Sequence, residues 1–366
     1  MPKLEAEGWP AVTQSPHPLE AAPGAEPLQA LCAPGDAALQ RVAHELAREA
    51  TLGRSPLAGE LEWRLRAQGA PYVWPRMWTL TLPAGETADA RERMSVWLGS
   101  LPRSGPPRCG VARHEARTKA QAVIAALSVD VLADLSPLPT RVPVGTWLEV
   151  EARILVPYQG AKIVVVGPRG TPKLVPTSVR EQHVRGRFAI DAAGHWVVQV
   201  LAEVSGGPRP VLEAWLFADV EPPSTPTSAP APGEAAAKGA KDPRIALERM
   251  LEVTRRSEGL ATLRRDAGLD EVAQQQAEAM QRAGRLAHDL GDDPARRLET
   301  AGLRVTSVGE NVAHATSATH AHRAMWASPS HRFNLVSSQF AAVGIGAVQD
   351  ADGSLWVCEL FASFEP

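Results

Sequence analysis

The apolar positions of the C-terminal third fall on helical spacing three times. Leu247, Met250, Leu251 and Thr254 mark one face of a helix over residues 245–256. Leu269, Val272, Ala273, Gln276, Ala277 and Met280 recur at i, i+3, i+4, i+7, i+8 and i+11, which predicts a second helix over 269–282. A third is expected over 318–327, capped by Ser317 or Thr316 and ended by Ser328-Pro329. The period then changes. Residues 343–348 and 355–361 read as strands joined across Asp350-Ala351-Asp352-Gly353, a hairpin signal. Helix, helix, helix, hairpin is the order of an α+β layered fold.

Upstream the pattern differs. Between 138 and 220 the runs TWLEVEARILV, KIVVVG, RGRFAID, HWVVQVLAEV and VLEAWLFADV alternate or are rich in β-formers. Turn signals at Gly167-Pro168-Arg169-Gly170 and Gly206-Gly207-Pro208 separate them. Five to seven short strands predict an Ig-like β-sandwich over 136–221, a spacer or binding platform in which His183 and His195 are ordinary strand or turn residues. Residues 28–135 are mixed α+β: a helix over 37–49 presents Leu39, Val42, Ala43 and Leu46. Trp63, Trp74, Trp78 and Trp97 follow it, then Cys109-Gly110-Val111 and an apolar strand or helix over 121–127. The stretch PPSTPTSAPAPGEAAAKGAKDP, residues 222–243, has few large apolar side chains to offset chain entropy and reads as a linker. Residues 1–27 read as a flexible lead-in, and residues 244–366 as the C-terminal domain.

Composition narrows the classes. At 366 residues the prior is two or three domains. The chain is 44% hydrophobic and 22% charged, which excludes a wholly disordered or fibrous protein. A net charge of −3 provides no general attraction for nucleic acid or anionic lipid. No apolar run approaches the ~18 residues of a transmembrane helix. The start, MPKLEAEGWP, lacks the basic and apolar regions of a signal peptide, so the expectation is a cytoplasmic protein or a secreted or envelope protein whose leader is gone. Three cysteines fit neither a disulfide scaffold nor a zinc motif. Cys32 and Cys109 can pair in an oxidising compartment, leaving Cys358 as a small buried hydrophobe. Histidine is the uneven feature, five of ten lying between His288 and His331.

The C-terminal residues resemble a known family. GLATLRRDAGLDEVAQQQAEAM is followed by Leu286-Ala287-His288, Arg297-Leu298 with Ala301-Gly302, and Gly309-Glu310-Asn311-Val312-Ala313. Then come Trp326-Ala327-Ser328-Pro329-Ser330-His331-Arg332-Phe333-Asn334-Leu335 and Val343-Gly344-Ile345-Gly346. In this order they look like the CAP superfamily of cysteine-rich secretory, antigen 5 and pathogenesis-related-1 proteins, in its bacterial branch without disulfides, over residues 244–364. The resemblance implies an α-β-α sandwich, secretion, and a cleft with His288, Glu310 and His331, bordered by Asn311 and Ser328. Ser328 stands where the eukaryotic branch has a second glutamate, which puts a hydrolytic mechanism in doubt.

Two imidazoles and a carboxylate can hold zinc or another divalent ion, with His288 and His331 as ligands. They can also bind a small ligand, or form the catalytic group of a metal-assisted hydrolase with Glu310 as general base. A purely structural role is the bland alternative, with Glu310 accepting N–H bonds and Asn334 bonding local backbone. Lipid or sterol binding, and a protein partner at the envelope, complete the expectations. His320 and His322 point about 200° apart on a helix, cannot share one ion, and are expected to face solvent. His314 is a weaker rim candidate.

An internal repeat is also visible. Arg64-Leu65 with Gly69 lines up with Arg297-Leu298 with Gly302, Leu39, Val42 and Ala43 with Leu269, Val272 and Ala273, and Trp97 with Trp326. Gly110-Val111-Ala112 fits Gly344-Ile345-Gly346, and residues 122–127 fit the last strand. Residues 28–135 are then a degenerate CAP-like copy, in which Met77 falls opposite Glu310 and Pro102 opposite His331. An unrelated α+β domain with coincidental motifs is the alternative.

Overall fold

The computed structural model describes residues 9–12, 26–32, 34–56, 59–83, 88–116, 121–168, 170–204, 207–226 and 230–365. Most of the expected lead-in and the turn residues Arg169 and Gly206 lie outside them. Two compact units emerge: Met1–Ile163 with Val175–Ala202 and Pro210–Pro226, and Thr227–Pro366 with Val164–Leu174 and Glu203–Arg209.

The first unit begins with α1 (Glu26–Gln29), α2 (Ala37–Ala50), α3 (Glu60–Ala67), β1 (Arg76–Pro83), α4 (Ala88–Ser100), β2 (Pro107–Glu115) and β3 (Gln121–Asp130). The three strands form an antiparallel sheet in the order β1-β3-β2. Asp36 caps α2 by accepting from Leu39 N at 2.9 Å, and the helix buries Leu39, Val42 and Leu46 against Ala125, Leu127 and Val129. A disulfide joins Cys32 to Cys109, with 4.9 Å between the Cα atoms. Residues 9–12 are not loose. Val12 exchanges backbone bonds with Leu138, and Trp9 packs on Trp63, Trp215 and Phe217.

The β-rich stretch supplies β4 (Ala133–Leu135), β5 (Arg141–Val142), β6 (Trp147–Ile154), β7 (Gly160–Val166), β8 (Lys173–Val175), β9 (Thr177–Arg180), β10 (His183–Ala189), β11 (Gly194–Val204) and β12 (Gly207–Ala218). They form two sheets, β4-β6-β10-β9 and β5-β12-β11-β7-β8. Alternation is clear in β6 and β10, where every second residue is buried. His183 is exposed, as is His195, which stacks on Phe217.

The second unit contains α5 (Pro243–Ser257), β13 (Arg264–Arg265), α6 (Ala267–Ala283), α7 (Pro294–Thr300), β14 (Val305–Ala315), α8 (Ala318–Ala327), α9 (Pro329–Leu335), β15 (Ala342–Gln349) and β16 (Leu355–Phe364). The sheet order is β13-β15-β16-β14. One face carries Cys358, Leu360 and Ala362 against α6. The other carries Val357 and Phe361 against α5, α8 and α9, giving the α-β-α layers. Leu269, Val272 and Met280 are fully or almost fully buried on α6, each stabilising by about 1.5–3 kcal/mol. Asp266 caps α6 through Gly268 N and Leu269 N, Ser317 caps α8 through His320 N, and Pro329 restarts the chain as α9.

The segment read as a linker is partly docked. Ala231 is buried, and residues 234–237 form a 3-10 turn. Pro232 O accepts from Thr254 Oγ1 at 2.7 Å and from His322 Nε2 at 2.9 Å, while Glu234 pairs with Arg323. Composition missed this because backbone carbonyls and one carboxylate, rather than large apolar groups, make the attachment. It also overturns the expectation for His322, which is fully buried; His320 is exposed.

The two α+β layers share detail. The run α2-α3-β1-α4-β2-β3 is followed in the second by α6-α7-β14-α8-α9-β15-β16, with one helix added, and β3 lies between β1 and β2 as β16 lies between β14 and β15. Met77 pairs with Leu127 as Glu310 pairs with Leu360, and Gly110 with Leu127 as Gly344 with Leu360. Asp36 N donates to Cys109 O, and Asp266 N to Val343 O, both at 3.0 Å. A Cβ on Gly110 would lie 2.2 Å from Gln40 N, and one on Gly344 2.1 Å from the Leu269 carbonyl carbon. In both layers the main helix rests directly on strand backbone, which only glycine permits.

Candidate functional site

The site gathers around β14, an edge strand of the second unit. β14 aims successive side chains to opposite faces, so Glu310 turns toward α6 and α7 while Asn311 turns toward α9. Glu310 has a side chain only 2% exposed. Its Oε1 lies 2.8 Å from His288 Nδ1, on the segment after α6. Its Oε2 pairs with the Arg297 guanidinium, from α7, and accepts from Cys358 Sγ at 3.4 Å. Burial and the adjacent Glu310 charge push the Cys358 thiol well above its ordinary pKa. A carboxylate beside a guanidinium is an acceptor only, so His288 donates from Nδ1. In the neutral ring this leaves Nε2 as acceptor on a side chain 27% exposed.

Arg297 is held at three further points. Nη1 donates to Gln276 Oε1 at 2.8 Å, His288 O at 2.8 Å and Asp292 O at 3.1 Å. Gln276 in turn donates to Ala287 O, so α6, the segment carrying His288, and α7 are fastened by two polar side chains. The sequence motifs contain Arg297 but give it no role.

On the other face, Asn311 Nδ2 donates to His331 O at 3.1 Å, and Asn334 Nδ2 donates to Asn311 Oδ1 at 2.9 Å and Glu310 O at 3.3 Å. His331 keeps some accessible surface yet sits deep among protein atoms. Burial and the neighbouring His288 charge push its pKa down to about 3, so it is neutral at physiological pH. Ser328, between α8 and α9, meets Ser330 Oγ at 3.2 Å. Glu359 pairs with Asn311 across the strands and is fully buried, and among the described residues neither of its oxygens has a well-aligned hydrogen-bond partner. Burial pushes its pKa up to about 8, against the weaker pull of the Asn311 amide and the Arg265 charge. A lone charge in the apolar run LWVCELF was the available signal for Glu359.

A metal held by His288, His331 and Glu310 does not fit this donor set. Both Glu310 oxygens are engaged, Ser328 offers no carboxylate, and among the described residues no three His, Cys, Asp or Glu side chains are placed to hold a metal ion. The same engagement leaves Glu310 badly placed as a general base: it orients His288 rather than facing a substrate. His314 stands apart, stacked on Trp356 with Nε2 3.1 Å from Ser354 Oγ.

Residues 249–360 match the profile of the family described as CAP, the cysteine-rich secretory protein family. Comparison with curated proteins gives no match. Among solved structures, an outer surface protein of Borrelia burgdorferi is 21% identical, with 34% of this chain and 95% of that chain covered and a TM-score of 0.33. An extracellular SCP-domain protein of Bacillus anthracis is 15% identical, with 76% and 93% covered and a TM-score of 0.31. A cysteine-rich secretory protein of Staphylococcus aureus is 11% identical, with 74% and 91% covered and a TM-score of 0.29. The profile match, the ordered motifs and the α-β-α layers agree: residues 249–360 of this chain are a CAP domain.

Proposed function

We propose that the chain is a binding protein of the cell envelope or exterior, whose CAP domain takes an uncharged, hydrogen-bonding ligand at His288. The observation that carries this reading is the pairing of the buried Glu310 carboxylate with both His288 and Arg297, which balances charge within the site and leaves Nε2 of the part-exposed His288 uncommitted to Glu310. His331, neutral through burial, adds no charge. The Cys32–Cys109 disulfide favours an oxidising compartment. Among the described residues no helix is long and apolar enough to cross a membrane.

Residues 28–135 serve, in this reading, as a degenerate CAP-like copy. Met77 and Trp78 occupy the strand positions of Glu310 and Asn311, so the copy keeps the layers and loses the polar site. The β-rich residues 136–221 act as an Ig-like spacer.

Saturation-transfer NMR on the full chain with terminally blocked dipeptides and N-acetylated oligosaccharides tests the binding reading. Transfer to one class that His288→Ala abolishes supports it; transfer indifferent to His288→Ala and Glu310→Gln refutes it. A second reading is hydrolysis, favoured by the His288–Glu310 pair, in which an oriented imidazole activates water. Turnover of peptide or ester substrates, lost in His288→Gln, would establish it in place of simple binding.

A further inference from the structure

We propose that Arg297 sets the ligand class of this site: it fixes His288 as a hydrogen-bond acceptor and withholds Glu310 from cations, so that the site selects hydroxyl or amide N–H donors. The proposal rests on the binding reading above. One guanidinium grips His288 at both ends. Nη1 holds its main-chain oxygen at 2.8 Å, and Nη2 holds the carboxylate that receives its ring Nδ1. The planar fork of arginine can make these bonds at once, whereas the point charge of lysine cannot. With Nδ1–H committed to Glu310, the neutral ring presents a lone pair at Nε2, and an acceptor discriminates in favour of donors.

The first unit provides an internal control. Arg64 follows the same helix-turn pattern as Arg297, preceding a buried leucine: Ala70 N donates to Leu65 O as Leu303 N donates to Leu298 O. Met77 stands in the strand register of Glu310, and Arg64 instead pairs with Glu45 at 2.6 Å, Glu49 at 2.8 Å and Glu60. Where the strand carboxylate is missing, the arginine serves the helices alone. At Arg297 the guanidinium bonds run to the histidine segment and to the strand.

Long-range proton–nitrogen NMR of the full chain labelled in histidine tests this with no ligand present, at a pH where the ring is neutral. The expected wild-type signal for His288, assigned by its loss in His288→Gln, is the Nδ1-protonated tautomer. Arg297→Gln should shift it toward a mixture with the Nε2-protonated form, because the carboxylate is no longer held against Nδ1, and calorimetric titration with Zn²⁺ alone should show at least a tenfold gain in affinity as Glu310 is released. An Nε2-protonated wild type, or an unchanged tautomer and unchanged zinc heats in Arg297→Gln, would overturn the proposal. Should Arg297→Gln lose its helical circular dichroism, Arg297→Lys is read instead: it keeps the charge without the fork and must shift the tautomer in the same direction. Because no ligand is used, failure of every dipeptide and oligosaccharide to bind would sink the binding reading while leaving the role of Arg297 decided by the tautomer.

Discussion

Glu359 should make the CAP domain lose stability as pH rises through the neutral range. Its carboxyl has an ordinary pKa near 4.5 in the unfolded chain and about 8 in the folded one. The sign follows from proton binding. Between those values the folded state holds a proton that the unfolded state has released, so stability is fullest below pH 4.5 and declines until about pH 8. At 1.36 kcal/mol per pH unit, the loss between pH 4.5 and pH 7.5 is about 3.5 kcal/mol. Glu359→Gln keeps the shape and removes the titration. Its amide still lacks partners in the apolar layer, at about 1–3 kcal/mol, so the variant should be no better than wild type at pH 4.5 and more stable by roughly 1–2 kcal/mol at pH 7.5. Urea unfolding of the full chain at both pH values, followed by circular dichroism, measures the difference. A Glu359→Gln effect that is the same at pH 4.5 and pH 7.5 would refute the reasoning, since it would mean that the carboxyl does not change its proton on folding.

Other outcomes follow from particular contacts. The Cys32–Cys109 bond closes a loop of sequence separation 77, so chain entropy predicts a loss of about 4.5 kcal/mol in the double alanine variant, read as a lower urea midpoint of the tryptophan-rich first unit. Gly344→Ala drives a Cβ to 2.1 Å from helix backbone and should cost about 3 kcal/mol or more in thermal unfolding, whereas Gly259→Ala, with open space around it, should cost only the strain of its positive φ. His322 is buried, its Nδ1 has no hydrogen-bond partner among the described residues, and burial lowers its pKa. Its contribution is therefore present above the unfolded value near 6.5 and lost as pH falls below it; His322→Gln should flatten that acid limb in a denaturation series.

Much of the CAP layer was legible because its helices obey one period. Leu247 to Thr254 and Leu269 to Met280 are buried as their spacing required, and α8 begins at the serine cap. β14 was not legible as a strand: its buried residues include Glu310 and Asn311, whose burial depends on partners far along the chain. α7 was hidden for another reason, since seven residues around one buried leucine give no period. His288, Glu310 and His331 could be marked from ordered motifs, and the hydrogen bonds divide their roles. Arg297 needed geometry, because nothing in a one-dimensional string says that it spans both ends of His288.

The docked residues 230–237 redraw where the C-terminal unit begins. Cut at the first residue of α5, the unit would leave Thr254 Oγ1 and His322 Nε2 without the carbonyl they share, and Arg323 without Glu234. Two buried polar groups without that acceptor would cost about as much as a small domain can spare. A C-terminal piece cut to keep these bonds must therefore begin no later than about residue 230, well before the first turn of α5.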